Sequence, residues 1–402
     1  MVFKATIAVI AVALLMPFLY ERAQTLALFW RNAPHRLVKV DTFASHEVKF
    51  ADRIRSCEDV LLIETTGIAL LACDPGREVY NTVMGIFLPG PVDNGRLYTY
   101  DYKNGNLSDD EALKELTFVD FEAQSQLHTL GMAFNETTSI LYVANHRQDA
   151  PSIEMFKVNF NEHTATHMAS IQHPLLHGPN SIALVNEHEL LVTNDHHFLF
   201  RENPLMSMLE TYLAFPGGTV VHVDMSPIVK DAVLHANVVA HVPFANGIEL
   251  LNKTTVAIAS SSGAKIHLYS IQRPNKQKTG RLTLERVSAF RVPFSPDNLS
   301  VSQDGALMIS GHPHFPSLAE FARTRHICNE PEEYRKADKA MQETCRTLVA
   351  PSVVARWTEK EGLQMLYTGT DYSSSATAAR DARRKMGIVA GLYAKGIFVW
   401  RE

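Results

Sequence analysis

Four stretches of this chain repeat one design, and that repeat limits the fold more than any other feature. GMAFNETTSILYVANH begins at residue 131, NSIALVNEHELLVTNDH at 180, NGIELLNKTTVAIASSS at 246 and NLSVSQDGALMISGH at 298. Each is a short apolar run, a polar turn, and a second apolar run ending in small or polar residues. The starts lie 49, 66 and 52 residues apart, room for a four-stranded sheet with its loops, which is how propeller blades announce themselves in sequence. Two further units, around Glu58–Leu71 and Leu366–Trp400, bring the number to six. Helical periodicity is scarce, with Asn203–Tyr212 and Glu330–Thr344 as exceptions beyond the N-terminus. The expected fold is all-β: a six-bladed β-propeller with a central metal tunnel, plus an N-terminal hydrophobic helix. Residues 1–24 are expected as a signal anchor or transmembrane helix, 25–44 as a linker or amphipathic segment, and 45–402 as the propeller, with an insertion at 319–349.

In three units the first strand is headed by asparagine: Asn180, Asn246 and Asn298, the last preceded by Asp297. Inner strands of a propeller run side by side along a central channel, so equivalent positions in successive blades face one axis. The segment SCEDVLLI adds Glu58 and Asp59 at the head of the first blade. Taken singly, each residue suits a turn or cap; in register they form a ring of oxygens without cysteine. Such a ring suits a hard cation, and Ca²⁺ takes six to eight oxygens in flexible geometry. Glu58 and Asp297 as its charges neutralise a divalent ion and leave its Lewis acidity for a substrate oxygen.

The N-terminus places this body in the secretory pathway. Sixteen uncharged, mostly apolar residues run from Ala5 to Tyr20, with no convincing cleavage site after them. An uncleaved anchor, making a membrane the partner of the N-terminal helix, and a removed signal both put the propeller in the lumen or outside. Asn106, Asn135 and Asn252 head glycosylation sequons in expected loops, whereas the sequon at Asn298 lies in the ring. Four cysteines form two close pairs, Cys57/Cys73 and Cys328/Cys345, and allow three connectivities. The local pairing is favoured because Cys57 and Cys73 bracket a hairpin turning at Thr65-Thr66-Gly67. A net charge of −5, with no basic run longer than Arg383-Arg384-Lys385, excludes a nucleic-acid surface.

SCEDV, YVANH, PNSIALV, VTNDHHF, FANGIEL, KIHLY, PDNLSV and GHP, in that order, resemble the paraoxonase/arylesterase family over roughly residues 45–315. The resemblance implies a six-bladed propeller with two calcium ions in its tunnel, an uncleaved N-terminus, and hydrolysis of aryl esters and lactones. It implies that Glu58, Asn180, Asn246, Asp297 and Asn298 hold the catalytic calcium. A second, structural calcium would take Asp59, the carbonyl of Met132, and an aspartate where this chain has Ser181. Of the family's histidine pair, one member aligns with His146. The other falls on Leu130, with His128 two residues away; His196 and His312 are further candidates near the tunnel mouth. The implied reaction has calcium polarising the carbonyl while His128 or His146 takes a proton from water. No G-x-S-x-G motif suggests a covalent serine instead. The family's disulfide between first and last blades is missing, so closure should rest on strand pairing and Trp400. The rival readings are a gluconolactonase-like or strictosidine-synthase-like propeller, and a catalytically silent, membrane-anchored binding protein.

Overall fold

The computed structural model describes residues 2–226, 234–273 and 281–402, with side chains from Leu15 onward. Six sheets of four or five strands follow one another around an axis. Their inner strands are Cys57–Ile63, Thr129–Asn135, Pro179–Asn186, Ala245–Asn252, Ser295–Val301 and Ser375–Asp381. The second strand of each blade is buried on both faces, as in Glu189–Asn194 and Leu307–His312. That explains their near-continuous apolar sequence: each is covered by the next blade on either side. The cores are accordingly inter-blade layers, such as Leu191, Val220, Ile248 and Ile258 between the third and fourth blades.

Every inner strand breaks register at its head. The shifts fall between Cys57 and Asp59, Thr129 and Met132, Pro179 and Ile182, Ala245 and Ile248, Pro296 and Leu299, and Ser375 and Thr377. A bulge of this kind turns the extra residues out of the ladder and re-aims their side chains. The bulged residues are Glu58, Leu130-Gly131, Asn180-Ser181, Asn246-Gly247, Asp297-Asn298 and Ala376. Four blades therefore present oxygen to the tunnel, while the second and sixth present Leu130 and Ala376. Neighbouring bulges pack backbone against backbone, and a Cβ on Gly247 would stand 2.6 Å from the carbonyl oxygen of Asp297. Only glycine fits there.

The ring closes by strand pairing. Ser45–Lys49 joins the last strand, Ile397–Arg401, in the sixth blade. Trp400 is fully buried, stacked on Phe43 with ring centroids 4.9 Å apart. The sixth blade begins at Ser375, and Leu366 lies in the fifth blade's strand Gly362–Gly369. Three helices, Phe315–Cys328, Pro331–Lys336 and Lys339–Thr347, make up the insertion, the first lying against the cavity described below.

Both disulfides are local, Cys57–Cys73 and Cys328–Cys345. The first closes a loop of sequence separation 16, a cross-link of about 3 kcal/mol in the chain-entropy account. Cys57→Ala/Cys73→Ala should lose about that much unfolding free energy in a urea titration. An unchanged midpoint and slope would mean the hairpin is held by its ladder alone.

The N-terminal helix runs Val2–Arg31, past the expected limit at residue 24. Its second half is fastened to the propeller. Arg22 Nε donates to the Tyr212 carbonyl at 2.6 Å and Nη1 to that of Ser262 at 2.5 Å. Glu21 pairs with Lys265 and Arg291. Among the described residues no helix is long and apolar enough to cross a membrane.

Candidate functional site

Four bulge residues from four blades, Glu58, Asn180, Asn246 and Asp297, line one cavity. Arg77, Leu130, Phe244, His312, Phe315 and Leu392 complete much of its wall. Glu58 is 1% exposed. Its Oε1 accepts a hydrogen bond from Asn298 Nδ2 at 2.9 Å, and the same amide donates to Thr377 Oγ1. Asn246 Nδ2 donates to Ser261 Oγ at 3.1 Å. With those amide nitrogens committed, the oxygens are left over. Glu58 Oε2, Asn180 Oδ1, Asn246 Oδ1 and Asn298 Oδ1 are all buried without a partner among the described residues. Buried acceptors are normally satisfied. Three of these orphans belong to residues that line the cavity and the fourth to Asn298, bonded to Glu58 just behind it, a donor set that suits an oxygen-liganded cation.

The electrostatics agree. Burial holds the Glu58 carboxyl well above the usual carboxylate range; Arg77 opposes this, and Asp59 and Asp297 add to it. A positive charge among these acids would reverse the shift. Among the described residues no group of three or more His, Cys, Asp or Glu is placed to hold a metal. What converges instead is a mixed set, dominated by amides.

The second set fares differently on the same test. Asp59 Oδ1 accepts from the Val60 N–H and from Thr377 Oγ1, and Oδ2 from the Met132 N–H at 2.7 Å. Ser181 Oγ accepts from the Ile248 N–H. Neither side chain leaves an orphaned buried oxygen. The Asp59 carboxyl is nevertheless pushed up to about 6, by burial against those three hydrogen bonds.

The histidines lie in two layers. His312 is on the cavity wall, its Nε2 2.8 Å from Asp297 Oδ2 and its Nδ1 buried without a partner. His128 stands one shell back, with Nδ1 3.3 Å from Asp74 Oδ2 and its ring 4.9 Å from Tyr80. The cavity position two residues on is filled by Leu130. His146 and His196 line a neighbouring small pocket with Asp195. His146 Nε2 donates to the Pro179 carbonyl at 2.8 Å, which leaves Nδ1 to accept from the Thr82 hydroxyl. Burial lowers its basicity. His196 is raised: burial opposes protonation, but the Asp195 carboxylate outweighs it. Asparagines 106 and 252 are exposed, Asn135 is half-buried, and Asn298 is buried, as its place in the ring requires.

The arylesterase family model matches residues 82–326. This chain belongs to the arylesterase family. Among curated proteins, serum paraoxonase/arylesterase 2 of Canis lupus familiaris is 28% identical over 187 residues, 46% of this chain and 48% of that one. Serum paraoxonase/arylesterase 1 of Homo sapiens is 26% identical over 319 residues, 72% of this chain and 84% of that one. The match to the canine relative thus spans about half its length. A solved luciferin-regenerating enzyme aligns with TM-score 0.50 at 9% identity, over 89% of this chain and 95% of that one. At that identity the likeness speaks for the fold alone. Two positions in this arylesterase-family chain give no signal in its sequence. Arg77 lies in a turn outside the repeat, and Thr82, which occupies His146, comes from a different blade.

Proposed function

We propose that this chain is a calcium-dependent hydrolase of aryl esters and/or lactones. The observation that carries the reading is the set of orphaned oxygens, three on the cavity-lining residues Glu58, Asn180 and Asn246 and a fourth on Asn298, which is bonded to Glu58. Asp297 would complete the set. Bound there, calcium would supply Lewis acidity toward a carbonyl oxygen. The chain's own residues provide the rest. Asp297 accepts the Nε2 proton of His312 and so fixes the tautomer, which leaves the Nδ1 lone pair to take a proton from water. That geometry favours His312 as base over His128, His146 and His196. The reaction balances simply: the water oxygen bonds to the acyl carbon, the ester C–O bond breaks, and the proton held by His312 passes to the leaving oxygen. Phe244, Phe315 and Leu392 keep bulk water from the acyl chain.

The test is calcium analysis of the purified protein alongside initial rates on phenyl acetate and δ-valerolactone, with and without EGTA. Turnover of neither substrate, or equal rates in EGTA, removes the reading. Leu130, standing where the family resemblance expects a histidine, favours the alternative of a binding protein, which would hold calcium and turn over nothing.

The two disulfides fit an oxidising compartment, and we place the protein in the secretory pathway or outside the cell. The membrane contact we propose is interfacial. Leu15, Met16, Leu19 and Tyr20 of the N-terminal helix are exposed, as are Leu205, Met208, Leu209 and Tyr212 of the helix Pro204–Leu213. Such apolar faces suit a helix lying in the lipid interface. Leu205→Asp/Leu209→Asp should cut co-sedimentation with phosphatidylcholine vesicles by about tenfold or more. Undiminished sedimentation would mean this face meets no lipid.

A further inference from the structure

Arg77 places a guanidinium on the cavity wall that makes no salt bridge among the described residues and acts on Glu58 only through space. It is 3% exposed. A buried guanidinium ordinarily pairs with a carboxylate, because an uncompensated charge away from water is costly. Here Nη2 donates only to the Thr129 carbonyl, Nε is buried without a partner, and no carboxylate within ion-pair distance is found among the described residues. The nearby acids pair with other groups. Asp74 Oδ2 faces His128, though its Oδ1 has no partner, Glu78 is held by Arg55, Ser56 and Asn329, and Glu58 faces Asn298 and the orphaned oxygens.

The position is built rather than accidental. Arg77 sits in the tight turn Pro75–Glu78, directly after Cys73, whose disulfide ties the turn to the strand carrying Glu58. Gly76 lets the turn pass: a Cβ there would stand 2.0 Å from the Asp93 carbonyl oxygen. Charge then decides what the cavity prefers. Its wall carries Glu58 and Asp297 against Arg77. A divalent cation at the oxygens would offset the two carboxylates of the wall and leave the guanidinium without a counter-charge on the cavity surface. The third buried acid, Asp59, is not on the wall and has both oxygens hydrogen-bonded. The rest of the wall is mostly apolar, with Val83, Met84, Phe244, Phe315, Leu318 and Leu392, and its polar members Asn81, Ser261 and Ser295 are already hydrogen-bonded within the fold. Arg77 is therefore the polar anchor available to a ligand away from the ring.

We propose that Arg77 forms an anion subsite that takes the carboxylate of an acidic acyl substrate, such as a half-ester of a dicarboxylic acid or a carboxylated lactone. The proposal rests on the hydrolase reading for turnover, but not for binding. The guanidinium's planar fork matches a carboxylate, and charge-assisted hydrogen bonds of this kind separate ligands by about ten- to a hundredfold.

Two measurements on the full chain in calcium test it. The first compares kcat/KM for monophenyl glutarate and phenyl acetate in the wild type, Arg77→Met and Arg77→Lys. The wild type should favour the anionic ester, and the ratio should fall about tenfold or more in Arg77→Met, through KM, with Arg77→Lys between the two. The second is calorimetric binding of glutarate, weakened by a similar factor in Arg77→Met. A wild type indifferent to the carboxylate, or a ratio that survives Arg77→Met, overturns the subsite. Should Arg77→Met not fold, Arg77→Lys and the wild-type preference decide alone. If neither ester is hydrolysed, the hydrolase reading falls, and glutarate binding still decides Arg77: binding lost in the variant supports the subsite, and absent or equal binding overturns it.

Discussion

Calcium at a thousand times its dissociation constant should raise the unfolding free energy of the purified protein by about 4 kcal/mol, and Glu58→Gln should abolish most of that rise. The reason lies in the ring without its ion. Glu58, Asp59 and Asp297 are buried together, and burial with mutual repulsion lifts the Glu58 and Asp59 carboxyls, Asp59 to about 6. Folded pKa values above the unfolded ones mean the folded state holds extra protons. That contribution is fully present below an unfolded carboxylate pKa of about 4 and is lost as pH rises through about 6, at ~1.4 kcal/mol for each tenfold difference in proton affinity between the two states. In EGTA the protein should therefore lose stability between pH 4 and pH 6–7, and further as Glu58 ionises. Calcium needs deprotonated ligands, so its stabilisation should grow over the same window. Glu58→Gln removes one buried acid, so the variant in EGTA should be more stable than wild type at pH 8 and should gain little from calcium. Urea melts at pH 5 and pH 8, with and without calcium, read all four signs. Superimposable wild-type melts with and without calcium would mean that the orphaned oxygens grip no ion.

How much of this is legible in the sequence depends on whether a feature repeats. Asn180, Asn246 and Asp297-Asn298 stand out because a bulge sits at the head of each inner strand and the period carries the register. Ring closure is legible only in part: closure by strand pairing and Trp400 packing is expected from the sequence, but nothing there singles out Ser45–Lys49 as the partner strand. Glu58 shows through its blade position despite having no asparagine. The histidine layer is another matter. YVANH marks His146 clearly, yet what its ring does is set by Thr82 and the Pro179 carbonyl, from other blades and far away in the chain. Arg77 carries no periodic signal. Its trace is the short run CDPGREV, a cysteine followed by proline and glycine, which reads as a tethered turn but does not say which way the arginine points. Hydropathy ends the N-terminal helix near residue 24 because the apolar run stops there; Arg22, Thr25 and Asn32 carry it on to the propeller surface by polar contacts that hydropathy does not register.

His312→Gln should lower kcat for an aryl ester by about 10²–10⁴-fold, the usual share of a general base, while leaving the calcium-dependent gain in stability in place. The separation follows from geometry. His312 touches the ring only through Asp297, and its Nδ1 is the one histidine nitrogen on the cavity wall without a partner among the described residues. Asp297→Asn should lose both properties, because that carboxylate is a charge of the ring and also the group that fixes the imidazole. His146→Gln separates the competing assignment. Both nitrogens of His146 already have partners, and using Nδ1 as a base would first require breaking its contact with Thr82. His128 has a free Nε2, but it lies behind Leu130 rather than beside the ring oxygens. Each of these variants should cost less than His312→Gln. Kinetics at saturating calcium, with a urea melt on each variant, decide the matter. If His146→Gln or His128→Gln is the crippled variant and His312→Gln stays within about threefold of wild type, a loss well short of a missing general base, the proton goes to the layer behind the wall. The side chains around Leu130 would then have to open for water to reach it.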